Sequence, residues 1–152
     1  MPGIFIIAHA PLATALKAVA THTFPDCVGL VEALDVDPQT PLEQVEAQAR
    51  ASLEKVMQPD ALILTDVFGA TPCNIAHRLV QAASPGQVRL IAGVNVPMLW
   101  RALCYGDEPL ESVSLRALAG ATQGIMHVSI PKPLNQVTFL SDHDQKNPKH
   151  HQ

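Results

Sequence analysis

Residues 63–72 read ILTDVFGATP, a run that passes from β-branched and apolar residues through one acid and one glycine to a Thr-Pro pair. The apolar part, residues 61–65, has the length and composition of a strand covered on both faces. Gly69 permits a tight turn, Thr71 is a favourable helix N-cap, and Pro72 needs no partner for its missing N–H at the first helical position. A strand, a short turn and a helix from about residue 72 to 83 follow, with Ile75, Leu79 and Val80 as the apolar stripe. This is half of a βαβ unit, and it invites a search for the other halves.

They lie on both sides. Residues 4–8 form a second continuously apolar run, after which Leu12, Leu16 and Val19 recur at helical spacing. Residues 27–34 read as the next strand, and VDPQTP (36–41) as the loop that ends it. Thr40, Pro41 and Glu43 then carry a capping-box signal, and Leu42, Val45, Ala49, Leu53 and Val56 fill one helix face before Pro59. Downstream, residues 88–94 read as strand four, followed by helices from Pro97 to about Cys104 and from about Leu110 to Thr122. GIMHVSIP (124–131) is a fifth strand candidate whose direction stays open. Beyond Leu140 the chain is polar and lacks the apolar residues that order a segment. Alternating strands and helices predict an α/β fold, a single doubly wound domain with a mostly parallel sheet and helices on both faces.

The chain has 152 residues, enough for one core that buries roughly 70% of the unfolded surface. Domain limits are expected at 1–130, with a polar C-terminal extension over 131–152. The net charge of -4 and the scattered Lys and Arg exclude the basic face of a nucleic-acid or anionic-membrane binder. The N-terminal apolar run has no positive flank and is too short to cross a bilayer, so a cytoplasmic protein without direct membrane insertion is expected. Cys27, Cys73 and Cys104 match neither a disulfide framework nor a paired metal or redox motif and are expected as reduced core thiols. His22 just past the first helix, His77 on the third and His127 in the last strand have no paired ligand spacing, so no metal site is expected; His150 and His151 lie in the polar tail. Trp100 and Met98, near the end of strand four, suit either a docking edge or the core.

In open parallel sheets, ligands bind beyond the carboxyl ends of the strands, where the strand order reverses. His9 directly follows the first strand and Asp66 directly follows strand three. If those strands are neighbours, the carboxylate can hold one ring N–H and leave the opposite nitrogen as a free nucleophile. The helix start at Thr71 turns amides and a positive helix end to the same rim, an anion site, and no Lys or Arg lies between Val67 and His77. The combination points to a phosphoryl group held by amide dipoles and the Thr71 hydroxyl.

These residues resemble the IIA component of the mannose-type family of the bacterial phosphoenolpyruvate-dependent sugar phosphotransferase system. The likeness rests on GIFIIAHAPLA (3–13), LTDVFGATPCN (64–74) and GVNVPML (93–99), three motifs in order over about residues 1 to 130. The resemblance implies that His9 is phosphorylated, that Asp66 orients it as the second catalytic residue, and that Gly69, Ala70 and Thr71 bind the phosphoryl group, Thr71 through its hydroxyl. It also implies a homodimer in which the last strand, residues 124–131, joins the partner's sheet and covers an exposed edge. The family commonly has Gly after the histidine and Ser in the second motif, where this chain has Ala10, Pro11, Ala70 and Thr71; Thr can replace Ser chemically.

The expected function is that of a phosphocarrier. His9 accepts from the histidine-containing phosphocarrier protein and passes the group to a IIB component for sugar uptake, without metal or cofactor. The same site would also serve a regulatory relay without transport, or donation to a dihydroxyacetone kinase. A flavodoxin-like module fits less well, because AHAPLA (8–13) lacks a hydroxyl-rich phosphate loop, and a magnesium-binding receiver lacks its acidic pair after strand one. A hydrolase lacks the Gly-x-Ser-x-Gly elbow.

Overall fold

The computed structural model describes residues 1–131. Strands β1 (Gly3–His9), β2 (Val31–Val36), β3 (Ala61–Thr65) and β4 (Val88–Ala92) form one parallel sheet in the order β2-β1-β3-β4. Helices α1 (Leu12–Thr23), α2 (Leu42–Val56), α3 (Thr71–Ala82), α4 (Val96–Cys104) and α5 (Leu110–Gln123) cover its two faces. From β1 the chain goes to β2 on one side and only afterwards to β3 on the other, so the order reverses between β1 and β3.

Pleating sorts the apolar run of β1 between two cores. Ile4, Ile6 and Ala8 pack with Leu62 and Leu64 against Ala13, Leu16 and Ala20 of α1 and the inner faces of α4 and α5. Phe5 and Ile7 pack with Ala61 and Ile63 against Val45, Ala49, Leu53 and Val56 of α2 and Ile75, Ala76 and Leu79 of α3. Side chains that alternate in direction yet are buried on both sides account for an unbroken hydrophobic run. Each fully buried Ile, Leu or Phe contributes about 1.5–3 kcal/mol relative to exposure, so β1 and β3 anchor the site rigidly. Gly3 lies so close to the Val56 carbonyl that a Cβ would collide with it, which seats the start of β1 against the end of α2.

Several sequence expectations are corrected. Strand two begins four residues later than its expected start at Cys27, because Pro25–Leu30 coils as a 3-10 turn before Val31. In α1 the small residues Ala13 and Ala20 join Leu16 in the core, while Leu12 and Val19 are exposed; α1 packs against the sheet through its alanines. The capping box before α2 does not form: Pro41 is the N-cap, no side chain caps it, and Leu42 is exposed. Of the cysteines only Cys73 is buried, with Cys27 intermediate and Cys104 exposed. His22 lies in the last turn of α1, not beyond it. Met98 is core, whereas Trp100 is exposed.

Residues 125–131 are not a strand in the isolated chain, and Ile125, Met126, Val128 and Ile130 are exposed there; His127 is likewise exposed and outside any strand. A strand needs a neighbour to satisfy its backbone groups, and among the described residues none pairs with this segment. The expected extension over 131–152, including His150 and His151, lies outside the described residues apart from Pro131. Among the described residues no helix is long and apolar enough to cross a membrane.

Candidate functional site

Register brings the two ionisable groups together. Ile7 pairs with Thr65, so His9, two residues on, stands beside Asp66 at the carboxyl edge of the sheet. His9 Nδ1 lies 2.7 Å from Asp66 Oδ2, and the His9 backbone N–H donates to the same oxygen at 3.1 Å. The Val67 N–H donates to the other carboxylate oxygen at 3.0 Å. The Asp66 side chain is 10% exposed and that of His9 50%, so the acid is shielded and the ring is accessible.

Burial acts to raise the Asp66 pKa, but the hydrogen bonds from the His9 ring, the His9 amide and the Val67 amide outweigh it and hold the carboxyl below its ordinary 3.8. An ionised carboxylate can only accept, so Nδ1 carries the ring hydrogen and Nε2 of the neutral imidazole is a bare lone pair. Nε2 has no hydrogen-bond partner among the described residues.

The main chain at Thr65 and Asp66 is held from the residues that follow β4. Gly93 N–H donates to the Asp66 carbonyl and Val94 N–H to that of Thr65, both at 3.0 Å. Gly93 has φ +87°, a left-handed conformation that side chains disfavour. Asn95 then caps α4, accepting from the Met98 N–H at 2.9 Å and donating to the Ala121 carbonyl at 3.1 Å. The motif 93–99 thus serves as a backbone brace, a role sequence reasoning missed although an Asn two residues before a proline is an N-cap signal.

A cleft of about 420 Å³ opens at His9, lined also by Val36, Asp37, Pro38, Thr40, Leu42, Val45 and Thr71. Thr71 and His9 are therefore brought together as expected. Thr71 is not the N-cap of α3, however; Ala70 is, in extended conformation, and no side chain caps the helix. The Thr71 hydroxyl is thereby left free of a capping bond, and the first-turn amides have no intrahelical partner. Gly69 makes the turn with φ +82°. The Ala70 N–H is turned back to the Val67 carbonyl at 3.4 Å, a long contact within the turn. The sequence marks the stretch before α2, with Asp37 and Thr40, as a loop and carries no signal of a site there; β2 pairing beside β1 brings it to the cleft. No Lys or Arg lines the cleft, and Asp37 does, so attraction for an anion there would have to come from helix dipoles and amides.

A model of the family described as "PTS system fructose IIA component" matches residues 3–116, which span all four strands and the entire site. The chain belongs to this family. The PTS system sorbose-specific EIIA component of Lacticaseibacillus casei is 28% identical over 96 residues, 63% of this chain and 67% of that protein. The mannose/sorbose specific IIA subunit from Enterococcus faecalis superimposes with a TM-score of 0.77 at 20% identity, over 87% of this chain and 98% of that one. EIIA from Streptococcus agalactiae gives a TM-score of 0.73 at 19% identity, over 84% and 97%. At that identity the two structures establish the mannose-type IIA fold. As a IIA component, the protein has a phosphotransferase role in sugar transport by the phosphotransferase system.

Proposed function

We propose that His9 Nε2 is the phosphoryl carrier of this IIA component. The observation that carries the reading is the 2.7 Å contact between Nδ1 and Asp66 Oδ2, which leaves Nε2 as the only ring atom able to attack. The histidine-containing phosphocarrier protein approaches with its phosphoryl group, and the Nε2 lone pair bonds to phosphorus in line with the departing nitrogen. The donor P–N bond breaks and its electron pair returns to the donor ring. Positive charge that develops on the His9 ring is balanced by Asp66, while the phosphoryl oxygens face the Thr71 hydroxyl and the uncapped end of α3. A IIB component then attacks phosphorus, and the pair returns to Nε2.

The transfer calls for no metal or cofactor, since positioning and dipoles supply the stabilisation. The absence of a basic cage suits a carrier, which must release the group as readily as it takes it. Exchange with soluble phosphocarriers places the reaction in the cytoplasm. The same reading includes a homodimer in which residues 124–131 pair with a partner's sheet; the four exposed apolar side chains of that segment support it.

Incubation with phosphoenolpyruvate and the upstream phosphocarriers is expected to label the wild-type chain with an acid-labile, base-stable phosphoryl group, and His9→Ala is expected to take none. Labelling of His9→Ala at the wild-type level would remove the acceptor assignment.

A further inference from the structure

Helices α1 to α4 each follow a strand of one parallel sheet, so all four present their positive ends at the edge where His9 stands. They are not equivalent. Asn95 fills the end of α4, and no side chain caps α2 or α3. At α1 the preceding residue, Pro11, offers no cap, but the neighbouring strand does. Asp35 of β2 accepts the Thr14 N–H on Oδ1 at 3.0 Å and the Thr14 hydroxyl on Oδ2 at 2.6 Å. The same hydroxyl lies 3.2 Å from the Pro11 carbonyl oxygen. Upstream, the Ala10 N–H donates to the Val36 carbonyl at 3.0 Å.

The turn that follows His9 is therefore tied to β2 at Ala10 and again, through Thr14, at Asp35. On its other side His9 is tied to Asp66 by both its amide and its ring. An imidazole held by one carboxylate alone can rock with its own backbone; a clamp on the following turn removes that freedom. The Asp35 charge also occupies the positive end of α1. Among α1, α2 and α3, the ends left for a phosphoryl group are those of α2 and α3, whose residues line the cleft.

We propose that Asp35, acting through Thr14, is a positioning residue for His9: it locks the turn after β1 so that Nδ1 stays on Asp66, and it closes α1 to the phosphoryl group. The effect on transfer rests on the reading above that His9 is the acceptor; the effect on the ring does not.

The full chain would be compared as wild type, Thr14→Val, Thr14→Ser and Asp35→Asn, with circular dichroism as a check of folding. Nitrogen-15 NMR of the unphosphorylated imidazole at alkaline pH reads the tautomer, and labelling from phosphoenolpyruvate through the upstream carriers reads the rate. Thr14→Val is expected to raise the fraction of rings protonated on Nε2 and to slow labelling about tenfold. Thr14→Ser, which restores the hydroxyl, is expected to return both to near wild type, and Asp35→Asn to resemble Thr14→Val. A folded Thr14→Val chain with the wild-type tautomer, or a slow rate that serine does not rescue, would overturn the proposal. If Thr14→Val does not fold, Asp35→Asn is held to the same tautomer criterion. Failure of the acceptor assignment shows separately, as labelling of His9→Ala, and leaves the tautomer measurement standing.

Discussion

At the scale of the residue, the site is a division of labour between two side chains set by unequal exposure. Asp66 is shielded and carries three hydrogen bonds, whereas His9 is half exposed and carries one free nitrogen. Asp66→Asn keeps the shape, yet its amide can present N–H to the ring and favour the tautomer whose Nε2 is already protonated. Phosphoryl transfer through His9 is expected to slow on the order of a hundredfold or more, measured as the labelling rate. The same substitution tests the titration of Asp66. Because its folded pKa is below the ordinary 3.8, the unfolded chain takes up the proton first as pH falls. The stabilisation is complete above that value and disappears as pH drops through the lower, folded one. Urea midpoints from about pH 2 to 6 should fall less steeply for Asp66→Asn than for wild type; equal slopes would assign the acid sensitivity to other groups.

At the scale of the element, the helix ends at this edge of the sheet differ in whether a side chain closes them. The end of α4 is closed by Asn95, which also reaches the Ala121 carbonyl and so joins α4 to α5. Asn95→Ala removes a cap and leaves a carbonyl unpaired, and a loss of about 1–2 kcal/mol is expected in chemical denaturation. A loss within error would mean that water replaces both bonds. The elements themselves were unevenly legible. β3 matches its expected limits because four consecutive apolar residues and a β-branched Thr65, set between Pro59 and Asp66, leave little choice. The start of β2 differs from its sequence expectation because Cys27 and Val28 have strand-like side chains but sit in a turn that Pro25 begins. Thr40 and Thr71 are not caps for a related reason. A hydroxyl at the right spacing permits a cap, but the direction of the incoming chain decides whether it reaches the amide, and both end up lining the cleft instead.

At the scale of the whole molecule, the sheet has two unlike edges. Beside β2, Glu32 is flanked by Lys17 of α1 at 3.2 Å and Lys55 of α2 at 3.6 Å, a charged border that discourages strand pairing. β4 closes the other side with no further strand among the described residues, and among those residues the segment 125–130, with four exposed apolar side chains, pairs with no strand. For the proposed homodimer, Val128→Asp with Ile130→Asp should convert a dimer to a monomer in sedimentation velocity; unchanged sedimentation would remove that segment from the interface. Local pattern alone carries the alternation of strands and helices, the two buried central strands and the residue types available at positions 9, 66 and 71, because apolar period and residue type are local properties. Three-dimensional packing makes β1 and β3 neighbours in a register that joins the ring to the acid, brings Asp35 and Asn95 to close two helix ends, and sets the β2–α2 loop at the border of the cleft. Those are contacts between segments distant in the chain, where strand order and pleat set which groups meet and no local pattern records the partner.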